Sequence, residues 1–82
     1  MSVVRLKFFA RYAELVGADE RELALELPAT VADVVRRARD EIPGASGIPE
    51  RPVAALNLRH VQLDAQVQDG DEVAFLPPLA GG

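Results

Sequence analysis

The chain contains no cysteine, and that absence removes several chemistries at once. There is no disulfide staple, no thiolate nucleophile and no cysteine set for zinc or an iron–sulfur cluster. Any sulfur the protein handles must be brought from outside. Lysine is nearly absent too: Lys7 is the only one, so chains of the protein joined through its own lysines are disfavoured. The single histidine, His60, has no partner in sequence for a triad or a metal site and reads as a contact residue. Excess positive charge is missing as well, with 9 Lys and Arg against 13 Asp and Glu and a net charge of −4. Phosphate binding needs clustered cations free of carboxylates, so nucleic acid is excluded as a partner. The one basic cluster, Arg36-Arg37 with Arg39, runs straight into Asp40-Glu41 and reads as the solvated face and last turn of a helix. No apolar run approaches the roughly 20 residues of a membrane span. The N-terminus, Met1 to Lys7, sets its basic residues inside an alternating pattern, unlike a signal peptide. The expectation is a cytoplasmic protein with no membrane partner.

What is present, within 82 residues, is one domain with one core. Val4, Leu6 and Phe8 alternate with Arg5 and Lys7, the period of a strand with one buried face. Tyr12, Leu15 and Val16 lie at helical spacing before Gly17, which predicts a short helical turn from Arg11 to Val16. Asp19-Glu20 marks a turn, and Leu23, Leu25 and Leu27 form a hairpin partner ended by Pro28. Thr30 followed by Asp33 resembles a capping box, and Val31, Val34, Val35, Ala38 and Ile42 trace one face of a main helix over Val31 to Glu41. Three prolines and two glycines between Pro43 and Pro52 predict an irregular surface loop. A third strand runs from Val53 to Leu58 and is interior, since Val53 to Leu56 carries no charge on either face. Val61 and Leu63 belong to a shorter strand. Asp69-Gly70-Asp71 is a turn, too poor in carboxylates for a metal site. Val73 and Phe75 lie on the last strand, closed by Pro77.

Strand, strand, helix, strand, short strand, strand is the order of an α+β fold, the β-grasp or ubiquitin-like arrangement. It implies a mixed sheet of four to five strands on one main helix, the last strand parallel to the first. The expected core is Val4, Leu6, Phe8, Leu23, Leu25, Leu27, Val31, Val34, Val35, Ile42, Leu56, Val61, Leu63, Val73 and Phe75.

Two features do not serve that core. Residues 77–82, Pro77-Pro78-Leu79-Ala80-Gly81-Gly82, form an extended tail. Six residues reach about 20 Å, the prolines hold the exit direction, and the paired glycines let a partner enclose a terminal carboxylate in a narrow channel. The reactive group is then the carboxylate of Gly82, which becomes electrophilic once adenylation by ATP makes its oxygen a leaving group. Alternation also leaves Phe9, His60 and Leu76 on the solvent side of strands that neighbour one another. Exposed apolar surface at the root of such a tail has the character of a protein-docking site.

Phe8-Phe9-Ala10-Arg11, Glu14 to Gly17, Asn57, the block from Asp69 to Pro78, and Gly81-Gly82 together resemble the small subunit of molybdopterin synthase, the MoaD family. The resemblance covers nearly the whole chain. It implies a sulfur carrier that is no enzyme on its own and binds no cofactor. An ATP-dependent, MoeB-like enzyme adenylates Gly82, and a persulfide donor converts it to a thiocarboxylate. The tail, Pro77 to Gly81, then enters a large, MoaE-like subunit and gives sulfur to cyclic pyranopterin monophosphate, in an assembly of two small and two large subunits. Phe9, His60 and Leu76 fall where the family's docking surface lies. Leu58 departs from the pattern, standing where a small or polar turn residue is commoner. Other Gly-Gly carriers, for cysteine, thiamine or tRNA thiolation, share the activation, and a ubiquitin-like modifier or interaction module is the reading from another class.

Overall fold

The computed structural model describes residues 1–78. The first strand, β1 (Ser2–Phe8), is the alternating segment: Val4, Leu6 and Phe8 are buried, while Arg5 and Lys7 turn to the opposite face. After it comes α1 (Arg11–Val16), whose last turn is closed by Gly17 at φ 80°, its N–H donating to the Ala13 carbonyl at 2.8 Å. β2 (Glu20–Leu25) returns antiparallel to β1. It begins earlier than its leucines suggest, because Glu20 stands opposite Lys7 and forms an ion pair with it at 3.7 Å. Asp19 keeps the bend before the strand while Glu20 already belongs to it, and Leu27 lies past its end, partly buried.

The main helix, α2 (Val31–Glu41), has the expected bounds. Thr30 Oγ1 accepts from the Asp33 N–H at 3.2 Å, and Asp33 Oδ2 accepts from the Thr30 N–H at 2.9 Å. That satisfies two donors which the helix start leaves without partners. Val31, Val34, Val35 and Ala38 are buried along one stripe. Just before it, β3 (Ala29–Thr30) pairs with β6 (Gln66–Val67) in a separate two-stranded sheet. Two residues carry no readable period, so neither strand shows in the sequence.

β4 (Val53–Leu56), β5 (Arg59–Val61) and β7 (Glu72–Leu76) complete the main sheet, whose order is β2-β1-β7-β4-β5. β1 and β7 are parallel and the other neighbours antiparallel, so the sheet is mixed, five-stranded and covered on one face by α2. The third strand stops at Leu56, short of the expected Leu58. Asn57 and Leu58, at φ 51° and 72°, form a two-residue turn into β5. The asparagine locks it: Asn57 Oδ1 accepts the Glu72 N–H and Asn57 Nδ2 donates to Asp71 Oδ1, both at 2.9 Å. Leu58 therefore leaves the turn tight and places its side chain in solvent, 87 % exposed. Leu63 lies beyond β5, and its carbonyl accepts from the Ala32 N–H at 2.9 Å.

Phe8 and Phe75 meet at the core centre, ring centroids 5.6 Å apart. Leu27, Leu56, Val61 and Leu63, expected inside, are only partly buried, whereas Tyr12, Ala29, Ala45, Ile48, Ala54 and Val67 are fully so. The segment from Pro43 to Pro52 also departs from expectation. It holds a 3₁₀ turn (Ala45–Gly47), buries Ala45 and Ile48, and is clamped by Arg39, whose Nε donates to the Ile48 carbonyl at 2.8 Å. It lies at the surface as expected, with most of its residues exposed, but Ala45, Ile48 and Pro52 turn inward and make it a packed cover for the end of the core. No helix among the described residues is long and apolar enough to cross a membrane.

Candidate tail and docking face

β7 is the middle strand, with β1 on one side and β4 on the other. Its alternation sends Val73 and Phe75 into the core and leaves Ala74 and Leu76 on the face away from α2. The register shows what stands beside them. Leu76 is opposite Val53, and Phe9 follows Phe8, the partner of Phe75. One row of the uncovered face thus reads Phe9, Leu76, Val53. The next reads Lys7, Ala74, Ala55, His60, through the pairs Lys7–Ala74, Ala55–Ala74 and Ala55–His60.

Phe9 is 44 % and Val53 48 % exposed, with Leu76 partly covered between them. An apolar row of this kind, with no helix over it, resembles the core of a protein interface more than a solvated sheet face. The three expected docking residues separate accordingly. Phe9 and Leu76 lie together, and His60 is exposed on the far edge strand, one row down. Val53 was missed. Its lack of a charged neighbour reads in sequence as burial on both faces, although only the α2 side of β4 is closed. The signal was present: an interior strand whose outward positions, Val53 and Ala55, are both apolar.

Further from the tail the same face becomes charged. Arg5 and Glu72 are paired at 3.9 Å, and Lys7 and Glu20 flank the apolar rows. The turn at the far end uses its carboxylates on backbone donors: Asp69 Oδ1 accepts from the Val3 N–H at 2.8 Å and Asp71 Oδ2 from the Gln68 N–H at 2.7 Å. These groups hold β7 against its neighbours. Beyond Leu76 the chain continues through Pro77, partly buried, and Pro78, exposed, both continuing from the Phe9–Leu76–Val53 row. The remaining tail positions, Leu79, Ala80, Gly81 and Gly82, lie outside the described residues.

A mixed five-stranded sheet on one long helix, with the chain leaving the middle strand beside an uncovered apolar row, defines a ubiquitin-like protein of the β-grasp class. The chain belongs to the ThiS family, whose model matches residues 6–82, and within it to the ubiquitin-like sulfur carriers of the MoaD type. It is 37 % identical over 81 residues to the molybdopterin synthase sulfur carrier subunit of Escherichia coli, an alignment spanning 98 % of this chain and 100 % of that one. It is 33 % identical over 90 residues to small archaeal modifier protein 3 of Haloferax volcanii, covering 96 % of this chain and 98 % of the other. Among solved structures, SAMP1 from Haloferax volcanii superposes with a TM-score of 0.83 at 25 % identity, over 98 % of this chain and 99 % of that one.

Proposed function

We propose that this protein is the sulfur-carrying small subunit of a molybdopterin synthase, with the carboxylate of Gly82 as the group that carries the sulfur. The observation that supports this most is the 37 % identity across the full length of the Escherichia coli carrier subunit. The apolar row where the chain leaves β7 supports the same reading.

The carrier supplies a handle and a surface, while its partners supply catalysis. A MoeB-like activating enzyme brings the Gly82 carboxylate to ATP. The carboxylate oxygen attacks the α-phosphorus, pyrophosphate leaves, and the resulting acyl-adenylate has AMP as leaving group. The outer sulfur of a persulfide donor attacks the acyl carbon and displaces AMP, giving an acyl disulfide. A second thiol on the donor side then cleaves its S–S bond, leaving the thiocarboxylate on the carrier and a disulfide on the donor. With no cysteine in the chain, that sulfur has no competing thiol on the carrier to migrate to. The loaded carrier docks through Phe9, Leu76, Val53 and His60 on a large, MoaE-like subunit, in an assembly of two small and two large subunits. Pro77 and Pro78 direct the tail, with Leu79, Ala80 and Gly81 passing into that subunit's site. There the thiocarboxylate gives its sulfur to cyclic pyranopterin monophosphate. ATP is used by the activating enzyme, and the cytoplasm, where ATP is available, is the place of work.

The test is intact mass spectrometry of the N-terminally tagged protein after incubation with a MoeB-type enzyme, ATP and a sulfur donor. Replacement of one oxygen by sulfur, localised to Gly82 by fragmentation, is the expected result. An unchanged mass with an enzyme shown to be active on another carrier overturns it. The likeness to an archaeal modifier favours a second reading, in which activated Gly82 forms an isopeptide with a target lysine. The same experiment with cell extract separates the two, since conjugates then appear at masses above the free carrier.

A further inference from the structure

The helix side of the molecule carries a cleft that the carrier chemistry does not use. Its floor is apolar, formed by Ala32 and Val35 of α2 and by Leu63. Arg36 and Arg39 rise from α2 on one side and Arg51 stands on the other, around a volume of about 370 Å³. Beyond Leu63 and Arg51, which are common to both, a second hollow of about 430 Å³ continues past Val61 and Asp64. The result is an elongated groove. In a protein of net charge −4, its first part gathers three guanidinium groups against one carboxylate, that of Glu50.

Arg39 is held to the cover by the Ile48 and Ser46 carbonyls, whereas the other two cations are open to a partner. Arg36 is paired with Asp33 at 2.6 Å, with the arginine side chain 65 % exposed. Arg39 meets Glu50 at 3.5 Å, and that glutamate is 82 % exposed. Arg51 has no ion pair among the described residues. An exposed pair such as Arg36–Asp33 contributes little, so a partner carboxylate can replace it at little cost, and at Arg39 only the exposed Glu50 has to give way.

We propose that this groove binds an extended acidic peptide segment of a partner protein, one that alternates carboxylate and apolar side chains. The guanidinium rim matches the carboxylates, with the planar fork that arginine offers them. Ala32, Val35 and Leu63 receive the apolar side chain between. A compact anion such as a phosphate satisfies the rim and leaves the floor and the second hollow empty, so groove shape and lining favour the peptide. The site lies on the α2 side of the sheet. The apolar row at the tail is on the other side, and both can be occupied together.

The probe is a short synthetic peptide of alternating leucine and glutamate, blocked at both ends, titrated into the isotopically labelled protein and followed by amide and arginine Nε–H NMR. Shifts confined to Ala32, Val35, Arg36, Arg39, Arg51 and Leu63, weakening as salt rises, are expected. The double variant Arg36→Glu, Arg51→Glu reverses two exposed charges and leaves the fold-clamping Arg39 alone, and it should weaken binding by about tenfold or more. A peptide with leucine replaced by asparagine should also bind more weakly, which reports on the floor without altering the protein. Pyrophosphate is the competing ligand. Binding as tight as that of the peptide, at the same residues, would overturn the peptide assignment in favour of a small-anion site. The proposal also fails if the peptide shifts residues elsewhere, or none at concentrations up to the millimolar range.

Discussion

Thr30 and Asp33 exchange two hydrogen bonds at the start of α2, and that pair makes the helix boundary testable residue by residue. Thr30→Ala should cost about 1 kcal/mol in chemical denaturation, as lost N-caps do. The Asp33 carboxyl is held below the ordinary aspartate range, first by the Thr30 backbone N–H and next by the Arg36 guanidinium. A carboxyl whose folded value is depressed contributes in full above its unfolded value of about 3.9, and the contribution is lost as pH falls through the folded one. Denaturation midpoints at pH 6 and pH 3 should therefore differ less in Asp33→Asn than in the parent, and equal differences would remove Asp33 from the acid response. Two glycines offer a second contrast. Gly17 at φ 80° has open space where a Cβ would stand, whereas at Gly44, φ 89°, a Cβ would lie 1.9 Å from the Leu15 carbonyl oxygen. Gly17→Ala should cost roughly 1–2 kcal/mol, the left-handed penalty alone. Gly44→Ala should cost distinctly more, because backbone must move as well. Comparable losses in thermal denaturation would mean that the cover over α1 yields easily.

Among the elements, legibility followed length and period. α2 could be bounded because a cap and a three-turn apolar stripe coincide, and β1 because five residues alternate cleanly. β3 and β6 could not, since their pairing is decided by tertiary contact between two-residue pieces. In the proline-rich segment from Pro43 to Pro52 the surface loop was legible and its packing was not: prolines forbid regular hydrogen bonding but not burial, and Ala45 and Ile48 are buried within it. At the candidate docking face, period two marks Phe9 and Leu76 as outward but gives no register, so only the pairing of β4 with β7 shows that Val53 completes their row. This predicts that Phe9→Glu and Val53→Glu each leave the unfolding transition nearly unchanged while weakening the large subunit by tenfold or more, about 1.4 kcal/mol or greater. Calorimetric titration against that subunit checks it. An unchanged affinity for both would move the interface off this face.

For the whole molecule, the proposed function separates a core built within 1–78 from a reactive group at Gly82. Adding a single residue after Gly82 should abolish thiocarboxylate formation in the mass assay and leave the denaturation curve where it was, because the buried core is made of residues between Val4 and Phe75. Loss of folding on extension would contradict that division. Phe75→Ala, by contrast, removes a ring with no solvent exposure and should cost about 3–5 kcal/mol. The order of elements and the parallel return to β1 were readable because hairpin, helix and later strands allow few arrangements. The groove beside α2 was not, since Arg36, Arg39 and Arg51 come together only after the cover folds back along the helix.

The position of β7 has a mechanical consequence. If the tail enters a partner's channel as proposed, drawing it out after each delivery places tension on the strand it leaves. Here that strand is gripped on both sides, parallel by β1 and antiparallel by β4. Force along the chain then loads both ladders in shear, many bonds sharing it at once, where an edge strand tied to one neighbour could be unzipped bond by bond. Under the proposed function, the carrier would be withdrawn and used again without unravelling from its C-terminal side.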